Sequence, residues 1–199
     1  MNYSAIKAYD IANGPGVRVS LFVSGCNIRC KGCFNHDAWD FDTGKQFTPD
    51  VINKIIEMLK PDYIKGLTIL GGEPLDPRNR YDVMKLIQIV RSVYSDKKSI
   101  WLFTGYVYSH EWFSDKTDYV FSLDHILQLI DVLVDGPFVE ELKNLNLKFR
   151  GSENQRLIDM KKTINAGHVI LWEDNADPVG ERRYAHLDKI IEEENNAGH

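Results

Sequence analysis

The chain has 199 residues, with 24 Lys plus Arg against 29 Asp plus Glu and a formal net charge of -5. A chain of this length buries roughly 70% of its unfolded surface, so a core forms without disulfide staples, and 43% hydrophobic with 11% aromatic residues argues against disorder. Mild acidity gives no sequence-independent pull on phosphate backbones, and no apolar run approaches the ~20 residues that cross a bilayer, so no nucleic acid and no membrane is expected as a partner.

In chain order, Met1-Asn2-Tyr3-Ser4 has neither the basic stretch nor the apolar core of a secretory signal. With an odd count of 3 Cys, this leads to the expectation of reduced thiols in a cytoplasmic protein. Val17 to Val23 reads as a strand ending just before the first cysteine. Thr48-Pro49-Asp50 is a helix start, and Val51, Ile52, Ile55, Ile56 and Leu59 recur at helical spacing until Pro61. Leu67 to Leu70 is a short buried strand running into Gly71-Gly72. Tyr81 to Tyr94 is a helix with Val83, Leu86, Ile87, Val90 and Val93 on one face. Ile100 to Phe103 is a strand stopped at Gly105, Ser122 caps a helix through Ile130, and Val132 to Val134 is a strand stopped at Asp135-Gly136-Pro137. Gln155 to Thr163 reads as a helix and His168 to Trp172 as a strand.

Such alternation implies parallel βαβ units, and 199 residues are too few for eight of them. The expected fold is α/β, a partial (incomplete) parallel β/α barrel in a single domain over 1–199. Residues 106–121 lack a clear period and read as an insertion; a polar C-terminal extension is expected from about 160, its last helix candidate being Ala185 to Glu194 with a frayed end. Trp101, Phe103, Tyr106, Tyr108, Trp112 and Phe113 read as core and insertion packing.

All the cysteines lie in one loop, Cys26-Asn27-Ile28-Arg29-Cys30-Lys31-Gly32-Cys33, at the spacing Cys-x3-Cys-x2-Cys. Three thiolates this close repel one another unless a cation shares them; coordination deprotonates the thiols and offsets the repulsion. Three readings stand. A structural zinc takes four protein ligands in a closed tetrahedron, and His36 would supply the fourth, giving a zinc-stapled binding module without catalysis. A [4Fe-4S] cluster normally takes four cysteines. With three, one iron stays open to another ligand, which suits a catalyst better than an electron carrier. Ordinary buried cysteines are the third reading, and the clustering speaks against it.

The cysteine motif after one strand, followed about forty residues later by Gly71-Gly72-Glu73-Pro74 after another, resembles the radical S-adenosylmethionine superfamily. Zinc gives no reason for the second motif. Further blocks follow: Asp10-Ile11-Ala12-Asn13-Gly14-Pro15-Gly16-Val17-Arg18, Gly32-Cys33-Phe34-Asn35, Trp101 to Tyr106, Val132 to Phe138, and Arg150-Gly151-Ser152-Glu153-Asn154-Gln155-Arg156. The series resembles the glycyl-radical-enzyme activases, and among them the activating proteins of anaerobic ribonucleoside-triphosphate reductase. Many superfamily members carry an aromatic just before the third cysteine. Here that position is Gly32, with Phe34 just after Cys33, as in the reductase-activating branch.

The resemblance implies an oxidoreductase that reductively cleaves S-adenosyl-L-methionine at a [4Fe-4S] cluster. The resulting 5′-deoxyadenosyl radical would generate a glycyl radical on anaerobic ribonucleoside-triphosphate reductase, with a flavodoxin- or ferredoxin-like electron donor. It implies Cys26, Cys30 and Cys33 as metal ligands and Gly32, Cys33, Phe34 and Asn35 as cofactor-binding, the backbone near Gly32 to Phe34 lying against adenine. Glu73 would hold the cofactor's amino group by a charge-assisted hydrogen bond, Gly71 and Gly72 would admit close backbone approach, and Asp135 would hydrogen-bond the ribose. Read as simple turns, Gly71 to Pro74 and Asp135 to Pro137 have no such role. Arg150 and Asn154 would reach the cofactor carboxylate or the partner, or belong to a capped turn. A small-molecule enzyme of the same superfamily, such as a 7-carboxy-7-deazaguanine synthase, is the alternative, which the Asn13-to-Gly16 and Arg150-to-Gln155 blocks disfavour.

Overall fold

The computed structural model describes residues 1–109 and 123–173. Among these, one seven-stranded sheet runs through the molecule in the order β3-β1-β2-β4-β5-β6-β7. The strands are β1 Asn2–Asp10, β2 Val17–Val23, β3 Lys45–Gln46, β4 Ile64–Gly71, β5 Ser99–Phe103, β6 Val132–Asp135 and β7 Arg156–Asp159. The helices are α1 Pro49–Leu59, α2 Arg80–Tyr94, α3 Leu123–Leu129 and α4 Met160–Ala166. Neighbours β2, β4, β5 and β6 pair in parallel. Outside them the direction reverses: β1 is antiparallel to β2, β3 to β1, and β7 to β6. The expected partial parallel barrel is corrected at its flanks, since antiparallel strands take up both sides of the sheet. β1 left no signal in the sequence because most of its residues are half-exposed, so neither face imposes an apolar alternation.

The two faces of the sheet separate by residue parity, as strand geometry requires. Val19, Leu21 and Val23 of β2, Leu67 and Ile69 of β4, Ile100 and Leu102 of β5, Leu133 of β6 and Ile158 of β7 meet the helices in one continuous core. Ile52, Ile55 and Leu59 of α1 and Val83, Met84, Leu86, Ile87 and Val90 of α2 complete it. The expected helical stripe holds for α2 except at Val93, which is 54% exposed. Thr48 takes the extended N-cap conformation before Pro49, without a capping side-chain bond.

The opposite face is polar at its base. Arg18, wholly buried, donates from Nε to Thr68 Oγ1 at 2.7 Å, from Nη1 to Ser99 Oγ at 2.8 Å, and from Nη2 to the Leu67 and Ser99 carbonyls at 2.8 and 3.0 Å. Its guanidinium carbon stands 5.5 Å from the centre of the Trp101 ring. Thr68 passes the chain of bonds on by donating to the Asn13 carbonyl at 2.8 Å. One side chain of β2 is thus tied to β4, β5 and the loop that precedes it. Above this base, Trp101, Val132, Val134 and Leu157 form a smaller apolar cluster with Phe103, Phe149 and Trp172.

The helix expected over Gln155 to Thr163 is corrected to a strand followed by a helix. Leu157 and Ile158 are both buried, one on each face of the sheet, and β7 pairs with β6 through Val134 and Leu133. Asp159 then starts α4 by accepting a bond from the Lys162 backbone N–H at 3.0 Å. The strand expected over His168 to Trp172 is reduced to a bridge between Ile158 and Leu171, flanked by two further backbone bonds. Met160 and Thr163 are buried against the sheet. Tyr108 is also buried in the core, whereas Trp112, Phe113, Ser122, most of 106–121 and the Ala185-to-Glu194 segment lie outside the described residues. Because an ammonium cannot span the acceptors that the Arg18 fork reaches, Arg18→Lys is expected to lower the unfolding free energy by about 3 kcal/mol in a denaturant titration.

Candidate functional site

In an α/β sheet, ligands gather where the carboxyl ends of parallel strands meet. Here β2 runs into Ser24-Gly25 and the cysteine loop, β4 into Gly72-Glu73, β5 into Thr104-Gly105 and β6 into Gly136. These four ends surround a cavity of about 460 Å³. Its lining includes Cys26, Cys30 and Cys33, Phe34 and Asn35, and Gly71, Gly72 and Glu73. Phe22, Leu70 and Phe103 form its floor, on the same face of the sheet as Arg18.

The cysteine loop is held from several sides. Gly25 and Cys26 donate their N–H groups to the Ala38 and Trp39 carbonyls at 2.7 and 3.0 Å. The Cys33 sulfur accepts from Asn35 N–H at 3.4 Å, while backbone groups of Arg29 and Ile28 beside Cys26 and of Phe138 beside Cys30 favour the charged form of those thiols. Cys33 N–H closes a turn onto the Cys30 carbonyl at 3.2 Å, with Gly32 at φ 71° as its third residue. That positive φ suits glycine, and an added Cβ would stand 2.9 Å from Glu140 Cδ. Gly32 therefore shapes the turn and does not itself line the cavity, unlike Cys33, Phe34 and Asn35. Burial pushes the Cys26 and Cys30 thiols up, and the charges of Glu73 and the neighbouring cysteine groups add to it. Thiols in such surroundings ionise when a metal takes them.

Glu73 is 1% exposed. Its Oε1 accepts from Leu75 N–H at 2.9 Å and Thr104 Oγ1 at 2.8 Å, and its Oε2 from Gly105 N–H at 2.8 Å. Burial outweighs these donors and pushes its carboxyl up to about 7. Gly72 has room for no side chain, because a Cβ there would stand 2.4 Å from the Gly25 carbonyl oxygen. The backbones of the two loops are bonded directly: Gly72 N–H donates to the Val23 carbonyl and Glu73 N–H to the Gly25 carbonyl, both at 2.8 Å.

The remaining sequence candidates fall elsewhere. Asp135, expected at a ribose, shares a strand face with Leu133, toward the helices, and is not among the residues that line the cavity. Its carboxylate accepts from Arg156 through both oxygens and from Tyr108 N–H at 2.8 Å, at 1% exposure. His36 is 69% exposed, pairs with Asp37 at 2.9 Å and does not line the cavity, so among the described residues a closed zinc tetrahedron lacks the fourth ligand expected of it. Among the described residues no three His, Cys, Asp or Glu side chains converge on one ion. A cluster places each thiolate on a different iron, so three cysteines around one largely apolar cavity fit it better than they fit a single ion. Arg150 lines the cavity. Asn154 is buried beneath it, donating to the Pro137 carbonyl at 2.7 Å, while Gln155 ties Gly151 and Ser152 to Gly136.

Sequence reasoning missed Thr104 and Gly105, the donors that orient Glu73. Their place directly after a parallel strand, like that of Gly72 and Glu73, was the available signal. It also missed Phe138, whose ring lies 5.0 Å from that of Phe34, with the Lys143 ammonium 4.9 Å from the Phe34 ring centre.

A family model described as a 4Fe-4S single cluster domain matches residues 12–158. The anaerobic ribonucleoside-triphosphate reductase-activating protein of Vibrio cholerae is 43% identical over 157 residues, which cover 78% of this chain and 96% of that protein. The protein of the same name from Enterobacteria phage T4 is 40% identical over 157 residues, covering 79% and 93%. That of Escherichia coli K12 is 42% identical over 158 residues, covering 78% and 96%. No helix among the described residues is long and apolar enough to cross a membrane.

The raised Glu73 carboxyl has a thermodynamic consequence. Between its ordinary 4.5 and about 7, the folded metal-free chain binds a proton that the unfolded chain has released, so stability falls as pH rises through that window. Denaturant titrations at about pH 5 and about pH 7.5 are expected to differ less for Glu73→Gln than for the parent.

Proposed function

The chain belongs to the 4Fe-4S single cluster domain family and to the anaerobic ribonucleoside-triphosphate reductase-activating proteins, and from that premise we propose that it is a radical S-adenosylmethionine oxidoreductase that generates a glycyl radical on such a reductase. The observation that carries this reading is the lining of one cavity by Cys26, Cys30, Cys33 and the Gly71-Gly72-Glu73 turn. The proposal includes a cytoplasmic setting, a flavodoxin- or ferredoxin-like electron donor, and one domain over the whole chain, with an insertion at 106–121 and an extension from about 160.

Cys26, Cys30 and Cys33 would hold three irons and leave the fourth to S-adenosylmethionine. When bound, cluster and cofactor supply a one-electron cleavage of the carbon–sulfur bond, giving methionine and a 5′-deoxyadenosyl radical that takes hydrogen from a backbone glycine of the reductase. The chain's own work is to bind, orient and exclude. Glu73, ionised, accepts the cofactor's ammonium; the approaching cation favours the carboxylate that burial disfavours. Thr104 and Gly105 fix the direction in which that carboxylate points. Gly71 and Gly72 keep the wall beside it free of side chains, and Phe34 and Phe138 give it an aromatic wall on the side of the cysteine loop.

The test is to mix the reduced, iron-loaded protein with S-adenosylmethionine and an anaerobic ribonucleoside-triphosphate reductase and look for a glycyl radical by electron paramagnetic resonance. A radical on the reductase is expected. Cofactor cleavage without it would remove the reductase as substrate and leave a small-molecule reaction; a colourless protein holding one zinc would remove the radical chemistry altogether. Cys30→Ala is expected to abolish cofactor cleavage while retaining the parent's circular dichroism and thermal transition, because Cys30 belongs to neither apolar cluster.

A further inference from the structure

Downstream of Glu73, the segment Leu75-Asp76-Pro77-Arg78-Asn79 leads into α2 and touches none of the cavity. Two of its polar side chains are nonetheless buried. Asn79, 1% exposed, donates from one amide nitrogen to the Ser24 carbonyl at 3.0 Å and to the Glu73 carbonyl at 2.9 Å, with the Gly25 carbonyl at 3.4 Å. One end of this clamp is two residues before Cys26, and the other is Glu73 itself. Asp76, 2% exposed, accepts from Asn27 Nδ2 at 2.9 Å, one residue after Cys26, and from Arg78 at its backbone N–H and Nε.

Asn79 Oδ1 is buried with no hydrogen-bond partner among the described residues. An amide kept only to stabilise a turn would use both its ends, since an unsatisfied buried acceptor carries a desolvation cost. Asn79 is placed for its donor end, which serves two loops at once.

We infer that Asn79, with the Asp76–Asn27 bond as a second link, is a positioning residue that, alongside the direct backbone bonds, sets the spacing between the cysteine loop and the turn that carries Glu73. The inference rests on the proposed function, in which one ligand must reach both loops: an iron on the cysteine side and Glu73 on the other. A ligand that bridges two loops is bound tightly only when their spacing is fixed beforehand. Loosening the clamp leaves each loop competent by itself and weakens the ligand that needs both.

The iron-loaded parent, Asn79→Ala and Asn27→Ala are compared by iron per chain, thermal transition, and the S-adenosylmethionine dissociation constant read from the change it causes in the cluster's paramagnetic signal. Asn79→Ala is expected to keep parental iron and bind S-adenosylmethionine about tenfold more weakly, and Asn27→Ala about threefold more weakly at parental iron and an unchanged transition. Affinities within about twofold of the parent in both variants, at parental iron, would overturn the inference. Should Asn79→Ala lose iron or fold, Asn27→Ala decides: weakened binding at parental iron supports the clamp, and parental binding overturns it. A parent whose cluster signal ignores S-adenosylmethionine would sink the proposed function itself, a result distinct from any difference between variants.

Discussion

The parallel pairing of β2 with β4 does not stop where the strands do. Two more backbone bonds, from Gly72 to Val23 and from Glu73 to Gly25, carry the ladder into the loops. The cysteine loop and the Gly-Gly-Glu turn are thereby extensions of two largely buried central strands, not independent surface excursions. The contact needs a glycine at position 72, and the cysteine loop needs another at 25 to fit against Phe41. A Cβ on Gly25 would stand 2.0 Å from the Phe41 ring, and one on Gly72 would meet the Gly25 carbonyl. A site on loops inherits the precision of the scaffold when its backbone is part of the scaffold's hydrogen bonding.

That rigidity frames the electrostatics of the cavity. Glu73 loses water on folding and regains three donors, two from the chain just after β5 and one from Leu75. The donors come from a neighbouring strand end and from its own turn, so the carboxylate is fixed in direction before any ligand arrives. Its burial leaves it short of positive charge, which a cationic group on a ligand would supply.

Much of this was legible beforehand. The apolar runs of β2, β4, β5 and β6 and the helical stripes of α1 and α2 appear in the sequence because each has a face that only apolar residues satisfy. β4 is longer than its apolar run suggests, since Lys65 and Gly66 belong to it; Gly66 is there because a Cβ would meet the Ser99 carbonyl oxygen at 1.9 Å, a constraint from a strand over thirty residues away. β7 was hidden because Leu157, Ile158 and Met160 also fit a helical spacing, and only pairing with β6 decides between them. The orientation of Asp135 could have been read from its sharing a parity with Leu133. Thr104 as a partner of Glu73 could not, since no local pattern announces which strand end a carboxylate will meet.

Arg18 and Glu73 stand at opposite ends of the same interior. Arg18 is paired beside Gly66 at the beginning of β4, and Glu73 follows its end, a separation of roughly 20 Å at strand rise. Burial draws the guanidinium down to about 10, which leaves it cationic at neutral pH, and hydroxyls, carbonyls and an indole face surround it in place of a contacting carboxylate. The two groups are too far apart to neutralise each other, so this side of the sheet carries a cation at its foot and, at its lip, a carboxyl that burial keeps partly protonated at neutral pH. The net charge of the surface says nothing of this axis. A cationic group arriving at the lip would draw that carboxyl into its charged form, so the charge separation along the strands is completed by the ligand itself and not by the empty chain.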